Sequence, residues 1–97
     1  MQATATVQAD NERTIVTEWR FQPGQSTGYH RHAYDYVIVP LTTGKLRLTG
    51  PDGETIGDLV AGRSYFREAG VKHDVTNIND YEFAFVEVEF KSTHIPE

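Results

Sequence analysis

Hydrophobic and polar residues alternate along several stretches of the chain, which is the pattern of a β-strand with one buried face. In the segment 14–21, Trp19 and Phe21 share one parity and Glu18 and Arg20 share the other. Because successive side chains of a strand point to opposite faces, this segment is predicted to be a half-buried strand. The same reasoning predicts further strands at 34–41, 45–49, 54–60, 64–67, 73–77 and 82–91.

Short segments rich in glycine, proline, asparagine and aspartate separate these strands, at 23–24, 50–53, 61–62, 69–70 and 79–80. The segment 50–53 lies between two strands of similar length, so it is predicted to be a hairpin loop. No segment has the period of an amphipathic helix. Many short strands with closely spaced turns predict an all-β, antiparallel sandwich or barrel.

The run 36–39 is apolar at both parities. Both faces of this strand are therefore expected to be covered, one by the core and the other by a neighbouring strand or a second subunit. This pattern, together with the need to protect sheet edges in a short chain, predicts a homodimer. Pro40 follows the run and cannot donate a hydrogen bond to a sheet, so the strand is expected to end, to bulge or to lie at an edge near this residue.

Length and composition restrict the chemistry. The 97 residues allow one domain, predicted to span 1–97, and the chain contains no cysteine. Disulfides, thiolate nucleophiles, cysteine-bound zinc and iron–sulfur clusters are therefore excluded. Any metal site must use histidine, carboxylate, tyrosine or backbone oxygen.

The charge balance bears on partners and location. Nine Lys and Arg against 14 Asp and Glu give a net charge of −5, and the two signs are interspersed. Nucleic acid is therefore not expected as a partner. The segment 1–6 lacks the basic and apolar regions of a signal peptide, and no apolar stretch is long enough to span a bilayer. These features predict a soluble, cytoplasmic protein without a membrane partner.

Three histidines are placed as a metal site would need them. His30 and His32 are two residues apart, so on a strand both imidazoles face the same side and can chelate one ion. Taken alone, such a pair is more often polar surface. A glycine turn precedes the pair, however, and His73 begins a later strand after another glycine turn.

The histidines lie within two regularly spaced motifs. The first has Gly24, five residues, His30 and His32 flanking one residue, three further residues, Tyr36 and later Gly44. The second motif begins at Gly62 and continues with Glu68, Gly70, His73 and Asn77.

Both motifs resemble those of the cupin superfamily, at about 24–44 and 62–77. The departures are Tyr36 in place of a glutamate, one extra residue before Gly44, and Glu68 in place of a proline. The surrounding residues are similar to those of small bacterial single-domain cupins labelled β-alanine degradation proteins. The resemblance implies an antiparallel jelly-roll β-barrel.

The resemblance also implies that His30, His32 and His73 bind a divalent metal ion. Parity places Tyr36 near this site, where it is expected to form hydrogen bonds and to orient the substrate. A β-bulge between His32 and Tyr36 would instead bring the Asp35 carboxylate inward, and this alternative remains open. Glu68, in the turn beside His73, is expected either to be solvated, or to act as a catalytic base or as a hydrogen-bond partner behind the metal ligands.

A site with three histidines and no glutamate is similar to those of cupin dioxygenases, so iron(II) is the first expectation, with zinc, nickel or manganese as alternatives. The positive site favours a small carboxylate substrate. The leading function is therefore a dioxygenase-like enzyme. A non-redox isomerase, decarboxylase, lyase or hydrolase is the second hypothesis, and a non-catalytic module that binds small molecules is the third.

The remaining residues have structural interpretations. Tyr29 and Arg31 flank His30 and are expected to face away from the site, Asn77 to fix the backbone, and His94 to lie on the surface. Six aromatic residues are expected to be mainly core: Trp19, Phe21, Phe66, Phe83, Phe85 and Phe90.

Overall fold

A computed structural model describes residues 2–91 of the chain, and His94 lies outside this range. Within it the chain forms nine strands and no helix, which confirms the all-β prediction. No helix in this part of the chain has the length and apolar character needed to cross a bilayer. The strands are β1 (Thr4–Asp10), β2 (Thr14–Phe21), β3 (His30–Arg31), β4 (Asp35–Pro40), β5 (Gly44–Gly50), β6 (Gly53–Leu59), β7 (Tyr65–Arg67), β8 (Lys72–Asn77) and β9 (Phe83–Phe90).

The strands form two antiparallel sheets. One has the order β1-β2-β9-β4-β7 and the other the order β3-β8-β5-β6, so most neighbours in a sheet are distant in sequence. This is the expected jelly-roll arrangement. The predicted hairpin at 50–53 is confirmed: β5 and β6 pair as far as Gly50 and Gly53, and Gly53 has a φ of +112°, which favours glycine.

The core is made of inward-facing residues from both sheets. The rings of Phe21 and Phe85 lie 5.5 Å apart, and Trp19 packs against this cluster. The buried members of this core cluster are Phe21, Tyr36, Ile38, Leu46, Leu59, Val75, Phe83 and Phe85. Apolar burial of this kind is the main stabilising contribution to the fold and also forms the walls around the histidines.

The predicted strands omit β1 and the two-residue β3, and two aromatic residues predicted to be core, Phe66 and Phe90, lie outside the buried cluster. All seven residues of β1 are exposed, so the strand has no buried face that a hydrophobic pattern could report. Phe66 was predicted to be core, but its side chain is 53% exposed. It lies on edge strand β7 between the inward-facing Tyr65 and Arg67, so its parity directs it outward.

Two motif residues fix the backbone where the sheets meet. The buried Asn77 side chain donates hydrogen bonds to the carbonyl oxygens of Phe21 and Tyr81, as expected for a structural residue. Gly44 lies against the Asn79 side chain, and a Cβ atom at this position would be 2.7 Å from Asn79 Oδ1. Close approach of another residue, rather than a positive φ, therefore requires glycine at position 44.

Candidate metal centre

Strand pairing brings the three motif histidines together. His30 on β3 lies directly opposite His73 on β8, and directly opposed residues of an antiparallel pair point to the same face. The backbone of His32 continues this pairing, because its N–H donates to the Val71 carbonyl and its carbonyl accepts from the Gly70 N–H. Gly70 has a φ of +102°, so the turn before β8 favours glycine.

The three imidazoles converge through their Nε2 atoms. His32 Nε2 lies 3.0 Å from His30 Nε2 and 3.0 Å from His73 Nε2. All three residues form a group whose ligand atoms lie within 4.8 Å of one another and could hold a metal ion. The structure therefore places all three sequence-predicted ligands around one point.

The other ring nitrogens face hydrogen-bond acceptors. His30 Nδ1 lies 2.8 Å from the Gly28 carbonyl, which can only accept, so His30 carries its hydrogen on Nδ1. His32 Nδ1 faces the Glu87 carboxylate at 3.5 Å, which favours the same tautomer. In the neutral rings both Nε2 atoms then present lone pairs to each other.

Burial keeps the rings of His32 and His73 neutral. Burial and the neighbouring His30 and His73 lower the pKa of His32 to about 3. Burial, His30 and Arg67 likewise lower the pKa of His73 to about 4. Near neutral pH, His32 and His73 are therefore uncharged, and their Nε2 atoms, 3.0 Å apart, can offer lone pairs to a divalent cation. The residues present thus fit a metal ion.

The question between Tyr36 and Asp35 has a clear structural answer. The Tyr36 ring is buried and stacks on His32, with ring centroids 3.9 Å apart and planes 19° apart. Asp35 Oδ1 instead accepts a hydrogen bond from the Ala69 N–H, and β4 pairs with β9 in regular register from Asp35 onward. Strand parity assumed one continuous strand, but β3 and β4 belong to different sheets, so the packing of the two sheets brings Tyr36 to His32. Burial, followed by the Glu87 charge, raises the pKa of Tyr36, so its phenol stays protonated.

A cavity of about 50 Å³ opens beside the histidines. Its polar lining consists of the three histidines with Thr27, Tyr36, Tyr65, Arg67 and Glu87, and its apolar lining consists of Trp19, Ile38, Leu46, Leu48, Val75 and Phe85. Glu68 is exposed in the turn between β7 and β8 and does not line the cavity. The structure therefore brings Tyr36 to the histidines and leaves Glu68 in solvent.

Sequence reasoning missed Glu87 and the role of Trp19. The Trp19 indole donates to Glu87 Oε1 at 3.3 Å, while the other carboxylate oxygen faces His32. Burial and the neighbouring Glu89 raise the pKa of Glu87 to about 7, although the Trp19 hydrogen bond lowers it. A signal existed in β9, where Phe83, Phe85, Glu87 and Glu89 share one parity, so two carboxylates continue a face that begins with two buried aromatic residues.

Comparisons with known proteins agree with this architecture. The chain is 58% identical over 90 residues to the β-alanine degradation protein BauB of Pseudomonas aeruginosa, covering 93% of this chain and 95% of that protein. A cupin domain from Bordetella pertussis Tohama I has a TM-score of 0.93 and 56% identity, covering 94% of this chain and 95% of that one.

More distant similarity concerns the fold alone. The polyketide cyclase RemF of Streptomyces resistomycificus has a TM-score of 0.74 at 22% identity, covering 99% of this chain and 74% of that one. The family model described as a cupin domain matches residues 17–89, which include both histidine motifs. The chain therefore belongs to the cupin family.

Proposed function

We propose that this protein is a metal-dependent enzyme that acts on a small organic acid, with His30, His32 and His73 as the metal ligands. The observation that carries this proposal is the convergence of three Nε2 atoms at one wall of a cavity. A protein that needed the histidines only for folding would have no reason to bury their lone pairs against one another.

Three histidines without a carboxylate ligand would suit several divalent ions, namely iron(II), zinc, nickel and manganese. On an ion with six coordination positions, His30, His32 and His73 would leave up to three positions for the substrate. Iron(II) bound there would supply the electrons that activate dioxygen, so a dioxygenase is the leading reaction type.

The surrounding residues have separate parts in this proposal. The Gly28 carbonyl accepts the Nδ1 hydrogen of His30, and the Glu87 carboxylate faces Nδ1 of His32 at 3.5 Å, so both contacts favour Nε2 lone pairs directed to the ion. The Tyr36 phenol remains a hydrogen-bond donor that can orient the substrate. Apolar walls limit access of water, and a volume of about 50 Å³ restricts the substrate to a small molecule.

The substrate class follows from charge. Three neutral imidazoles cancel none of the charge of a divalent ion, so the field of the site would attract an anionic molecule such as a small carboxylic acid into the cavity. The name of the similar Pseudomonas protein refers to degradation of β-alanine, itself a small carboxylic acid, and this agrees with the proposal. Glu68 is exposed, which favours the solvated alternative over a role as catalytic base.

A second candidate is a non-redox enzyme in which zinc, nickel or manganese acts as a Lewis acid. The contact of Glu87 with His32 favours it, because a carboxylate behind a metal-bound histidine is frequent in zinc enzymes. Oxygen consumption separates the two candidates, since only the dioxygenase consumes oxygen as it converts the acid.

The test is metal analysis of protein purified without added metal, followed by assays of small carboxylic acids with and without oxygen. We expect about one metal ion per chain in the wild type and none in H73A. R31A is the matched control, because Arg31 neighbours His30 but is exposed. Stoichiometric metal in H73A would contradict the ligand assignment. Saturable binding of acids without any turnover would instead identify a binding protein.

A further inference from the structure

Arg67 lies on the inner face of the edge strand β7, beside the candidate metal centre. Arg67 pairs with Tyr36 of the neighbouring strand β4, and Tyr65 pairs with Ile38 of the same strand. Both β7 residues therefore share the face on which Tyr36 is buried. Both line the cavity that contains the three histidines. Strand pairing therefore directs a guanidinium group toward the cavity from an exposed edge.

The guanidinium group is held in place but not neutralised. Its carbon lies 4.7 Å from the centre of the Tyr65 ring, which is a cation–π contact. Within residues 2–91, Arg67 forms no ion pair, although Arg20, Lys45 and Lys91 each have a carboxylate partner. Tyr36 on β4 pairs with Arg67 on one side and with Glu89 of β9 on the other. Glu89 is therefore two strands from Arg67, a backbone separation of about 10 Å.

A second, more open depression of about 240 Å³ adjoins the metal cavity. Leu48, Arg67 and His73 line both spaces, so Arg67 lies at their junction. Lys72 adds a second positive charge to the depression and Asp52 a negative one. A molecule that enters the metal cavity through this depression passes the Arg67 side chain.

We propose that Arg67 binds the carboxylate of the substrate at the mouth of the cavity, so that the remainder of a short organic acid reaches the three histidines. This inference rests on the proposed function and assigns its specificity to one residue. Guanidinium and carboxylate groups are complementary because two parallel N–H donors meet two oxygens. The Tyr65 ring holds the group in one orientation, which reduces the entropy lost when the acid binds.

The test uses propionate and its uncharged analogue propionamide as probes, titrated into the full-length protein and followed by backbone amide NMR shifts. Wild type is expected to bind propionate more tightly than propionamide. R67Q is expected to bind propionate about tenfold more weakly, and R67K to fall between them. R63Q is the matched control, because Arg63 lies outside both spaces and should leave binding unchanged.

Metal content of each variant is measured in parallel, together with thermal unfolding to verify the fold. Unchanged metal content and weaker propionate binding in R67Q would support the proposal. Equal propionate affinity in R67Q and wild type, or no propionate binding by wild type, would overturn it even if metal is present. A wild type without metal would overturn the proposed function, whereas the Arg67 dependence of propionate binding would still decide this inference.

Discussion

The carboxylate of Glu87 faces the Nδ1 atom of His32 at 3.5 Å, and this contact connects the two sheets at the candidate metal centre. Glu87 lies on β9 in the five-stranded sheet, whereas His32 follows β3 of the four-stranded sheet. The Trp19 indole donates to the other oxygen of the same carboxylate. The buried Glu87 carboxylate is therefore positioned by its own strand, β9, and by Trp19 on β2. It faces the imidazole of His32, which follows β3.

Replacement of Glu87 by glutamine should weaken metal binding. The carboxylate increases the basicity of the imidazole and fixes its tautomer, and loss of such a partner typically lowers metal affinity by about 10-fold to 100-fold. Competition with a chromogenic chelator at fixed pH measures this change. E82Q is the control, because Glu82 is exposed and its carboxylate pairs with Arg20. An affinity for E87Q equal to that of wild type would show that the contact has no effect on the metal.

Removal of the Tyr36 hydroxyl should separate metal binding from turnover. Y36F keeps the ring that stacks on His32, so its metal content should match that of wild type, while its turnover of the acid substrate should fall. Y36A also loses the buried ring, and its free energy of unfolding should fall by about 3 kcal/mol. Metal analysis and turnover assays test Y36F, and urea unfolding tests Y36A. Full turnover by Y36F would exclude a role for the phenol.

The metal-free protein should lose stability in mild acid. Since the folded-state pKa of His73 is lowered to about 4, the unfolded chain binds more protons between that value and the ordinary value of 6.5. The stabilising contribution is therefore complete above pH 6.5 and decreases as the pH falls toward 4. Urea unfolding in the presence of a chelator measures it. H73N should show a smaller decrease over the same range, and an unchanged pH profile would contradict the assignment.

Alanine at position 44 should destabilise the fold. The new Cβ would lie 2.7 Å from Asn79 Oδ1 and 2.8 Å from the Tyr81 hydroxyl, so both side chains must shift. Overpacking of this kind costs about 1 to 3 kcal/mol. G57A is the matched control in the paired strand β6, because its Cβ would make only ordinary contacts at 3.6 Å. Equal urea midpoints for the two variants would contradict this explanation.

The protein is expected to form a homodimer through the outer face of the five-stranded sheet. Val37 pairs with Val88 and Val39 with Val86, and all four are only partly buried within the chain. Phe66, next to Val37 in the sheet, is largely exposed. V37E should therefore shift a dimer to a monomer in light scattering, whereas T55E on the other sheet should not. A wild-type monomer at micromolar concentration would contradict the expectation.

Much of the fold was predictable because a half-buried strand records its burial in its own sequence. The alternation around Trp19 and Phe21 predicted β2, and the glycines at 50 and 53 predicted the hairpin. β1 has no buried face, so its sequence contains no comparable signal. Phe66 was misassigned because hydrophobicity alone does not report which face of an edge strand is covered.

The sequence by itself determined the all-β fold class and identified the three histidines as candidate metal ligands. It could do so because strand parity and motif spacing are local properties of the chain. Only the tertiary structure decided that Glu87 faces His32, that Tyr36 rather than Asp35 lines the cavity, and that Arg67 lines both the cavity and the adjoining depression. These relationships join strands that are distant in sequence. They depend on sheet order and register, which the packing of the whole core determines and no single segment encodes.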